Sequence, residues 1–446
     1  MKKAIYLWLT VCLTVLICSG IVSAEEPDAR TYVEILCSGN TKDLTEDYLH
    51  TEELLDALKS SGGLDGLQMS LKALGELQET GEPIISEIMG YTSYSVPCIF
   101  SVQKLNLVLN VDGEGKIAGI VTAPYAEGTN SQSEQKNERE TMTEINLSIP
   151  ADGQEGWELP GTLTLPDGEG PFPVVILVHG SGPSDRDETI GMNKPFRDLA
   201  DGLAEKGIAV YRYEKRTYVY GQEMAADTAL TLADETILDA VKAAELLAQE
   251  EAIDPGRIFI AGHSLGGQAL PAIDAELKDE IQAAGYIFLA APARKLPELM
   301  REQYEFLYSL TPDLSEEQEL QKAAAFAELD RLEQTDELPE DELILGAYPA
   351  YWKALDQYDQ VAEAADITKP CLVLQGEEDY QVTMEDYEIW KKHYSKQENW
   401  QFRSYDGLTH LFMSGIRENG PSDYQKEQHV DERVIADIAE FITAVK

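Results

Sequence analysis

The chain has 446 residues, 43% of them hydrophobic, and carries 81 acidic against 35 basic side chains, a formal net charge of −46. This length is sufficient for two or three domains, each with a buried core. A negative field of this size repels nucleic-acid phosphates and anionic lipid headgroups, so we expect no nucleic-acid partner and no membrane-surface partner.

The first 24 residues have the pattern of a secretory signal peptide. Two lysines precede an apolar stretch at 4–18, and residues 22–24, VSA, match a small-x-small cleavage pattern. We expect cleavage after Ala24 and a secreted or cell-surface protein. The alternative is an uncleaved N-terminal anchor, although the apolar stretch is short against the ~20 residues of a membrane span.

Residues 25–125 are predicted to form a small α+β domain. Leucines at helix spacing are followed by the strand patterns KLNLVLNV and KIAGIV, which flank the hairpin signal DGEG. Residues 126–142 have no apolar periodicity and are rich in Ser, Asn, Gln and Glu, which is the composition of a linker. Cys37 and Cys98 are candidates for a disulfide if the fold brings them together. The sequence does not indicate what this domain does.

From residue 143 to residue 446 the pattern predicts an α/β fold with a doubly wound, mainly parallel sheet. Two antiparallel strands near 143–149 and 158–165 are expected to lead into it. Helical stretches then alternate with continuous apolar runs, typical of strands buried on both faces, at 173–180, 208–213, 258–262, 286–291 and 371–376.

The interval at about 294–366 interrupts this alternation and predicts a helical cap inserted after a sheet strand. It is rich in Glu, Leu and Ala, with Pro and Gly between several helical segments. Its aromatic side chains either line a substrate pocket or pack the interior of the cap. They are Tyr304, Phe306, Tyr308, Tyr348, Tyr351, Trp352 and Tyr358.

The strand pattern IFIAG runs directly into GHSLGG, which places Ser264 at a strand-to-helix turn. Reactive groups of a doubly wound sheet collect at the carboxyl ends of its strands. Glycines at 262 and 266 have a purpose in such a turn, because a larger side chain would clash where strand meets helix. We therefore predict that Ser264 is a nucleophile, although the string by itself also fits an ordinary glycine-rich connection.

A serine hydroxyl needs a base within hydrogen-bond reach, and the base needs an orienting acid. His410 lies in a loop after the last expected strand, where the base belongs in the chain order Ser, Asp, His. His263 adjoins the serine and is interpreted as a packing residue. Directly after CLVLQG come Glu377, Glu378 and Asp379; the spacing favours Asp379 as the acid, with Glu378 as the alternative.

The glycine-rich segment HGSGPSDRDET follows the strand pattern PVVILV. The backbone N–H groups of this segment are free to point inward. We therefore expect the Ser181 N–H of this loop and the Leu265 N–H, which follows the nucleophile, to form an oxyanion hole, with Gly180 as the motif glycine of the loop. The alternative is an ordinary tight turn. Neither a CxxC pair nor an HExxH string is present, and we expect no metal and no cofactor.

Together, the oxyanion-loop segment, GHSLGG, LVLQGEEDYQVT and THLF resemble the α/β-hydrolases of the bacterial carboxylesterase type, which are related to the serine aminopeptidase and dienelactone hydrolase groups. The resemblance covers about 143–446 and implies Ser264 as nucleophile, Asp379 as acid and His410 as base. Some esterases of this type carry an extra small N-terminal domain, and residues 28–124 are similar to that uncharacterised module.

The leading hypothesis is a secreted serine hydrolase that cleaves small-molecule carboxylic esters through an acyl-enzyme on Ser264. One alternative is a serine aminopeptidase-like peptidase, for which the acid-rich cap offers an anchor for the substrate amine. Another is a surface binding protein with a catalytically idle hydrolase fold. The sequence does not indicate the acyl and alcohol groups of the substrate or the oligomeric state.

Overall fold

The computed structural model describes residues 28–59, 63–72, 75–88, 91–101, 104–112, 115–123, 142–151, 156–277, 281–311, 314 and 316–445. The chain divides into two compact units, residues 1–137 and 138–446, and the division falls within the predicted linker. The predicted signal peptide and almost all of that linker lie outside the described residues. Among the described helices, none is long and apolar enough to cross a membrane.

The N-terminal unit combines helices with an antiparallel sheet. Its described elements are α1 (Ala29–Ser38), α2 (Thr41–Asp47), α3 (Glu52–Lys59), α4 (Gly63–Leu71), β1 (Leu77–Thr80), β2 (Ile84–Ile88), β3 (Tyr91–Phe100), β4 (Lys104–Val111) and β5 (Ile117–Ala123). The strand order is β1-β3-β4-β5, and β2 also pairs with β3. Apolar side chains of β3 and β4 pack with those of α1, so helices and sheet share one core.

Cys37 and Cys98 lie in this core as free thiols, so the disulfide considered from the sequence is not formed. Burial raises the pKa of Cys37 to about 12, and the neighbouring Cys98 adds to this rise. Burial also raises the pKa of Cys98 to about 11, so both thiols are protonated at neutral pH.

The larger unit is built on an eight-stranded sheet with the order β15-β14-β13-β12-β10-β11-β9-β6. Its strands are β6 (Thr143–Asn146), β9 (Gly161–Leu165), β10 (Phe172–Val178), β11 (Ala209–Tyr213), β12 (Ile253–His263), β13 (Gly285–Leu289), β14 (Cys371–Gly376) and β15 (Trp400–Tyr405), while β7 (Ile149–Pro150) and β8 (Glu158–Leu159) form a separate pair. From β11 to β15 all pairings are parallel, and β9 and β6 join antiparallel.

Helices cover both faces of this sheet. The described helices of this unit are α5 (Pro195–Ala204), α6 (Arg216–Val219), α7 (Gly221–Ala225), α8 (Leu238–Leu247), α9 (Leu265–Glu276), α10 (Leu296–Ser309), α11 (Glu316–Arg331), α12 (Pro349–Gln357), α13 (Gln360–Glu363), α14 (Met384–Tyr394) and α15 (Glu432–Ala444). A π-helical turn, Ala233–Ile237, leads into α8, and 3₁₀ segments cover Leu332–Glu337, Ala364–Asp366 and Arg417–Gln425.

The apolar run of β10 shows why this sheet is buried on both sides. Because side chains alternate along a strand, Val174, Ile176 and Val178 join the core on one face. Val175 and Leu177 join the core on the other face. This is the doubly wound α/β architecture that the sequence pattern predicts, and the prediction is confirmed.

Helices α10 to α13 lie between β13 and β14 and form the predicted cap. Three of its aromatic side chains are held by hydrogen bonds inside the protein. The Tyr351 hydroxyl donates to Glu235 at 2.7 Å, the Trp352 indole to the Ile344 carbonyl at 2.9 Å, and the Tyr358 hydroxyl to the Gln268 carbonyl at 2.8 Å. These three residues therefore anchor the cap, which is the packing alternative considered from the sequence.

Candidate active site

Ser264 lies between β12, a central strand of the sheet, and the first residue of α9. Its backbone adopts φ 53° and ψ −120°, a conformation that costs a residue with a side chain of order 1–3 kcal/mol. The Ser264 N–H donates to the carbonyl of Leu289 at 2.8 Å, which ties the turn to the neighbouring strand. The turn therefore holds the serine at the carboxyl end of the sheet, where the sequence places it.

Two glycines make this turn possible. A Cβ added to Gly262 would lie 2.2 Å from the Gly266 carbonyl oxygen, and one added to Gly266 would lie 2.4 Å from that of Val178. Both distances are far inside van der Waals contact, so no side chain fits at either position. The strand, the turn and the helix approach one another as closely as the sequence pattern predicts.

His410 and Asp379 meet after the last two strands of the sheet. The His410 Nδ1 atom lies 2.6 Å from Asp379 Oδ2. Both residues are buried, with 3% and 1% of their surfaces exposed. Since Nδ1 is bound to the carboxylate, the proton of the neutral ring lies on Nδ1 and the Nε2 lone pair is the one free to accept a proton.

Asp379 is held rigidly while its two acidic neighbours turn away. Its Oδ1 accepts the N–H groups of Gln381 at 2.7 Å and Val382 at 3.0 Å, and Oδ2 also accepts the side-chain amide of Gln375 at 2.9 Å. Glu377 accepts instead from Ser404, and Glu378 from the backbone of Arg417. Of the three candidate acids, Asp379 is the one that the structure places on His410.

Among the contacts of the described residues, there is no hydrogen bond between the Ser264 hydroxyl and His410. His263, the residue before Ser264, contacts His410 instead. The His263 Nε2 atom lies 3.0 Å from the His410 carbonyl oxygen, and the two rings are 4.6 Å apart between centroids. Catalytic hydrogen bonds of an unliganded site commonly shorten only in the substrate complex.

The interpretation of His263 as a packing residue needs correction, because the ring also lies against a buried carboxylate. Its Nδ1 lies 2.9 Å from Glu188 Oε2, although the two atoms are not aligned for a hydrogen bond. Burial opposes both charges, yet their mutual attraction raises the pKa of His263 and lowers that of Glu188. His263, next to the nucleophile, therefore holds a proton more readily than a free histidine.

Glu188 also binds the oxyanion loop. Its Oε1 accepts the N–H of Gly180 at 2.8 Å. Among the described residues, no acceptor within the protein occupies the N–H groups of Ser181 and Leu265, the two donors expected from the sequence. On the other side, the Gly180 carbonyl accepts from the buried ammonium of Lys215 at 2.7 Å. The sequence carries no periodicity or motif that marks Glu188 or Lys215.

The segment Asp185 to Asp187 stabilises this loop. The Asp185 carboxylate accepts the N–H of Thr189 at 2.8 Å, which closes a local turn. Arg186 pairs with Glu214 at 2.6 Å, and Asp187 pairs with the buried Arg212. The carboxyl end of β11 and the residues after it thus hold the loop that follows β10.

His179, the first residue of the loop, is buried against Phe196 and Tyr213. Its Nε2 lies 3.0 Å from the Asp185 carbonyl oxygen. Burial lowers the pKa of His179 to about 4, and the nearby Glu188 carboxylate only partly opposes this effect. The ring is therefore neutral at physiological pH and donates its Nε2–H to that carbonyl.

The described residues contain no group of three or more His, Cys, Asp and Glu side chains placed to hold a metal ion. What the site does contain is a serine at a strained turn, a buried carboxylate–imidazole pair and the N–H groups of Ser181 and Leu265, which have no acceptor among the described residues. These are the parts that acyl transfer requires.

Comparison with known proteins agrees with this chemistry. Residues 170–415 match the family described as serine aminopeptidase, S33. The chain is 36% identical over 439 residues to Esterase EstD of Thermotoga maritima, a match that covers 97% of this chain and 99% of the relative.

Two solved structures are similar to this chain at low identity. An esterase of Pyrococcus furiosus is 15% identical with a TM-score of 0.44, covering 72% of this chain and 97% of its own. Est1E of Butyrivibrio proteoclasticus is 18% identical with a TM-score of 0.43, covering 67% of this chain and 98% of its own. The resemblance seen in the sequence motifs is confirmed by the family match and by EstD: the chain belongs to the serine aminopeptidase S33 family of α/β-hydrolases.

Proposed function

We propose that this protein is a serine esterase that hydrolyses small-molecule carboxylic esters through an acyl-enzyme on Ser264. The observation that carries the proposal is the buried Asp379–His410 pair beside the strained Ser264 turn. The similarity to EstD along nearly the whole chain supports an ester as the substrate.

In the proposed reaction the Ser264 hydroxyl attacks the ester carbonyl carbon while His410 Nε2 takes its proton. The negative charge that develops on the carbonyl oxygen is stabilised by the N–H groups of Ser181 and Leu265. Asp379 stabilises the imidazolium, which then protonates the departing alcohol. A water molecule, deprotonated by His410, attacks the acyl-enzyme and releases the acid.

The test is turnover of a p-nitrophenyl acyl ester and labelling by a fluorophosphonate probe. We expect both to be lost in Ser264→Ala and retained in Ser422→Ala, which removes an exposed serine hydroxyl of the same unit. Turnover that persists in Ser264→Ala would refute the assignment. An ester and an amide with the same acyl group should both be assayed, because faster cleavage of the amide would indicate a peptidase.

We also propose that the enzyme acts outside the cytoplasm after removal of residues 1–24. The proposal is supported by the charged, apolar and small-x-small segments of the N-terminus. Fractionation of cells that produce the full chain, followed by N-terminal sequencing, tests it. Mature protein that begins at Glu25 outside the cytoplasm is the expected result, and an intact N-terminus in the cytoplasm would contradict it.

A further inference from the structure

We propose that Lys215 is a positioning residue of the oxyanion hole, and that Tyr351 couples the cap to it through Glu235. The proposal rests on the proposed acyl-enzyme function, in which the Ser181 N–H binds the oxyanion. It assigns a task to a buried lysine, a buried glutamate and a cap tyrosine that the reaction described above does not use.

The three side chains form one continuous chain of hydrogen bonds. Lys215, only 2% exposed, donates from Nζ to the Gly180 carbonyl oxygen at 2.7 Å and to Glu235 Oε1. The other carboxylate oxygen, Glu235 Oε2, accepts from the Tyr351 hydroxyl at 2.7 Å. The chain thus runs from cap helix α12, through the π-helical turn before α8, to the oxyanion loop.

The Gly180 carbonyl and the Ser181 N–H belong to the same peptide unit. Because a trans peptide is planar, its C=O and N–H point in opposite directions, and fixing the carbonyl fixes the direction of the N–H. An ammonium bound to the carbonyl also polarises the peptide, which strengthens the N–H as a donor in a site of low dielectric. Lys215 therefore orients and activates the proposed oxyanion donor.

Further contacts leave this loop little freedom. Glu188 Oε1 accepts the N–H of Gly180 at 2.8 Å. The backbone N–H of Lys215 donates to the Ser184 carbonyl at 3.0 Å, and Thr217 Oγ1 contacts the Gly182 carbonyl at 3.5 Å. A preorganised loop of this kind does not need to rearrange when charge develops on the substrate oxygen.

Stability alone does not account for a buried ion pair at this place. Replacing a buried ion pair with apolar side chains of similar volume is often neutral or stabilising, so the pair has little value as packing. Tyr351 belongs to the same hydrogen-bonded chain. Burial and the Glu235 carboxylate raise the pKa of its hydroxyl, so the hydroxyl stays protonated and donates to Glu235. A shift of α12 would change the acceptor strength of Glu235 and hence the position of the Lys215 ammonium.

The first experiment is steady-state ester hydrolysis by Lys215→Met, with affinity for a reversible tetrahedral transition-state analogue such as a boronic acid. We expect kcat to fall about 10- to 100-fold, at or below the ~10²- to 10³-fold loss caused by removing one oxyanion donor, with KM within about twofold. Affinity for the analogue should fall by a similar factor. Unchanged kcat, or a change confined to KM, would overturn the proposal.

Lys215→Met leaves Glu235 buried without its cation, so a second variant keeps the test valid if the first does not fold. Lys215→Met/Glu235→Leu/Tyr351→Phe removes every polar member of the chain at once. We expect the same loss of kcat in this variant, whose folding is checked by thermal denaturation. A folded triple variant with the kcat of the wild type would refute the positioning role.

The cap coupling is tested by a double-mutant cycle. Tyr351→Phe alone should lower kcat about threefold to tenfold, and it should cause little further loss in Lys215→Met, because both changes act on one peptide. Tyr286→Phe is the matched control, since it removes another buried tyrosine hydroxyl that donates to a carboxylate, Asp274, at 2.6 Å. Losses that simply multiply would show that no coupling exists.

Failure of this proposal is distinguishable from failure of the proposed function. If Ser264→Ala keeps its turnover, the acyl-enzyme assignment is wrong. If turnover and fluorophosphonate labelling depend on Ser264 while the Lys215 variants keep the kcat and analogue affinity of the wild type, only the positioning role is wrong.

Discussion

Protonation of the buried His179 should make the protein lose stability in mild acid. In the folded protein the ring is neutral, donates to the Asp185 carbonyl and packs against Phe196. A proton added there has no water to solvate it, and the Lys215 ammonium nearby repels it. In the unfolded chain the same ring is solvated and takes up a proton at its ordinary pKa. The unfolded state therefore binds more protons, and acid favours it.

The pKa of His179 sets both the pH window and the magnitude. Its folded-state pKa is depressed from 6.5 to about 4, so its stabilising contribution is complete above pH 6.5 and is lost as the pH falls toward 4. A difference of this size corresponds to about 3 kcal/mol of unfolding free energy. Carboxylates titrate in the same range, so the informative quantity is the difference between the wild type and a variant without this imidazole.

The variant is His179→Gln, whose neutral amide can still donate to the Asp185 carbonyl. Urea unfolding is followed by tryptophan fluorescence, because the tryptophans after the predicted cleavage site, Trp157, Trp352, Trp390 and Trp400, all belong to the larger unit. Poorer packing lowers the unfolding free energy of the variant at pH 7.5.

We expect this deficit to shrink by about 3 kcal/mol between pH 7.5 and pH 4, because only the wild type has the titrating ring. Phe196→Leu disturbs the same packing but keeps the imidazole, so its deficit should stay nearly constant over this range. A deficit of His179→Gln that is the same at both pH values, or larger at pH 4, would refute the reasoning.

Variants at three further positions test the architecture of the site. Asp379→Asn should lower kcat on an ester about 10⁴-fold with KM little changed, because an amide favours the wrong imidazole tautomer; a loss below tenfold would contradict this role. Glu188→Ala should cost about 3–5 kcal/mol in urea unfolding, and Glu188→Gln clearly less, because the glutamine oxygen can still accept the Gly180 N–H. Gly266→Ala should reduce both stability and turnover, since its Cβ would lie 2.4 Å from a backbone oxygen, whereas Gly256→Ala, with its nearest atom at 3.4 Å, should be neutral in both assays.

The sheet and the Ser264 turn were predictable because their causes are local in the sequence. A strand buried on both faces needs a continuous apolar run, and the run of β10 supplies core side chains to both faces of the sheet. The closeness of strand and helix at Ser264 leaves room only for glycines, so GHSLGG is visible as a string. The choice of Asp379 over Glu378 followed from the length of the turn after β14.

The buried charges around the site were not predictable because their partners are distant along the chain. Glu188 and His263 are separated by 75 positions, and Lys215 reaches a carbonyl 35 residues earlier. Acidic residues are so frequent in this chain that a single buried glutamate has no distinguishing local signal. Only the folded structure identifies which glutamate is buried away from solvent and placed beside a basic side chain.

The two neighbours of His263 favour its charged form. One ring nitrogen faces the His410 carbonyl oxygen, an acceptor, so it must carry a hydrogen; the other faces the Glu188 carboxylate, which is also an acceptor. A neutral ring has one N–H and would leave a lone pair against an acceptor oxygen on one side, whereas an imidazolium presents a hydrogen toward both acceptors. Glu188 meanwhile holds the oxyanion loop. One proton on His263 therefore links the loop of the proposed oxyanion donor to the loop of the proposed base.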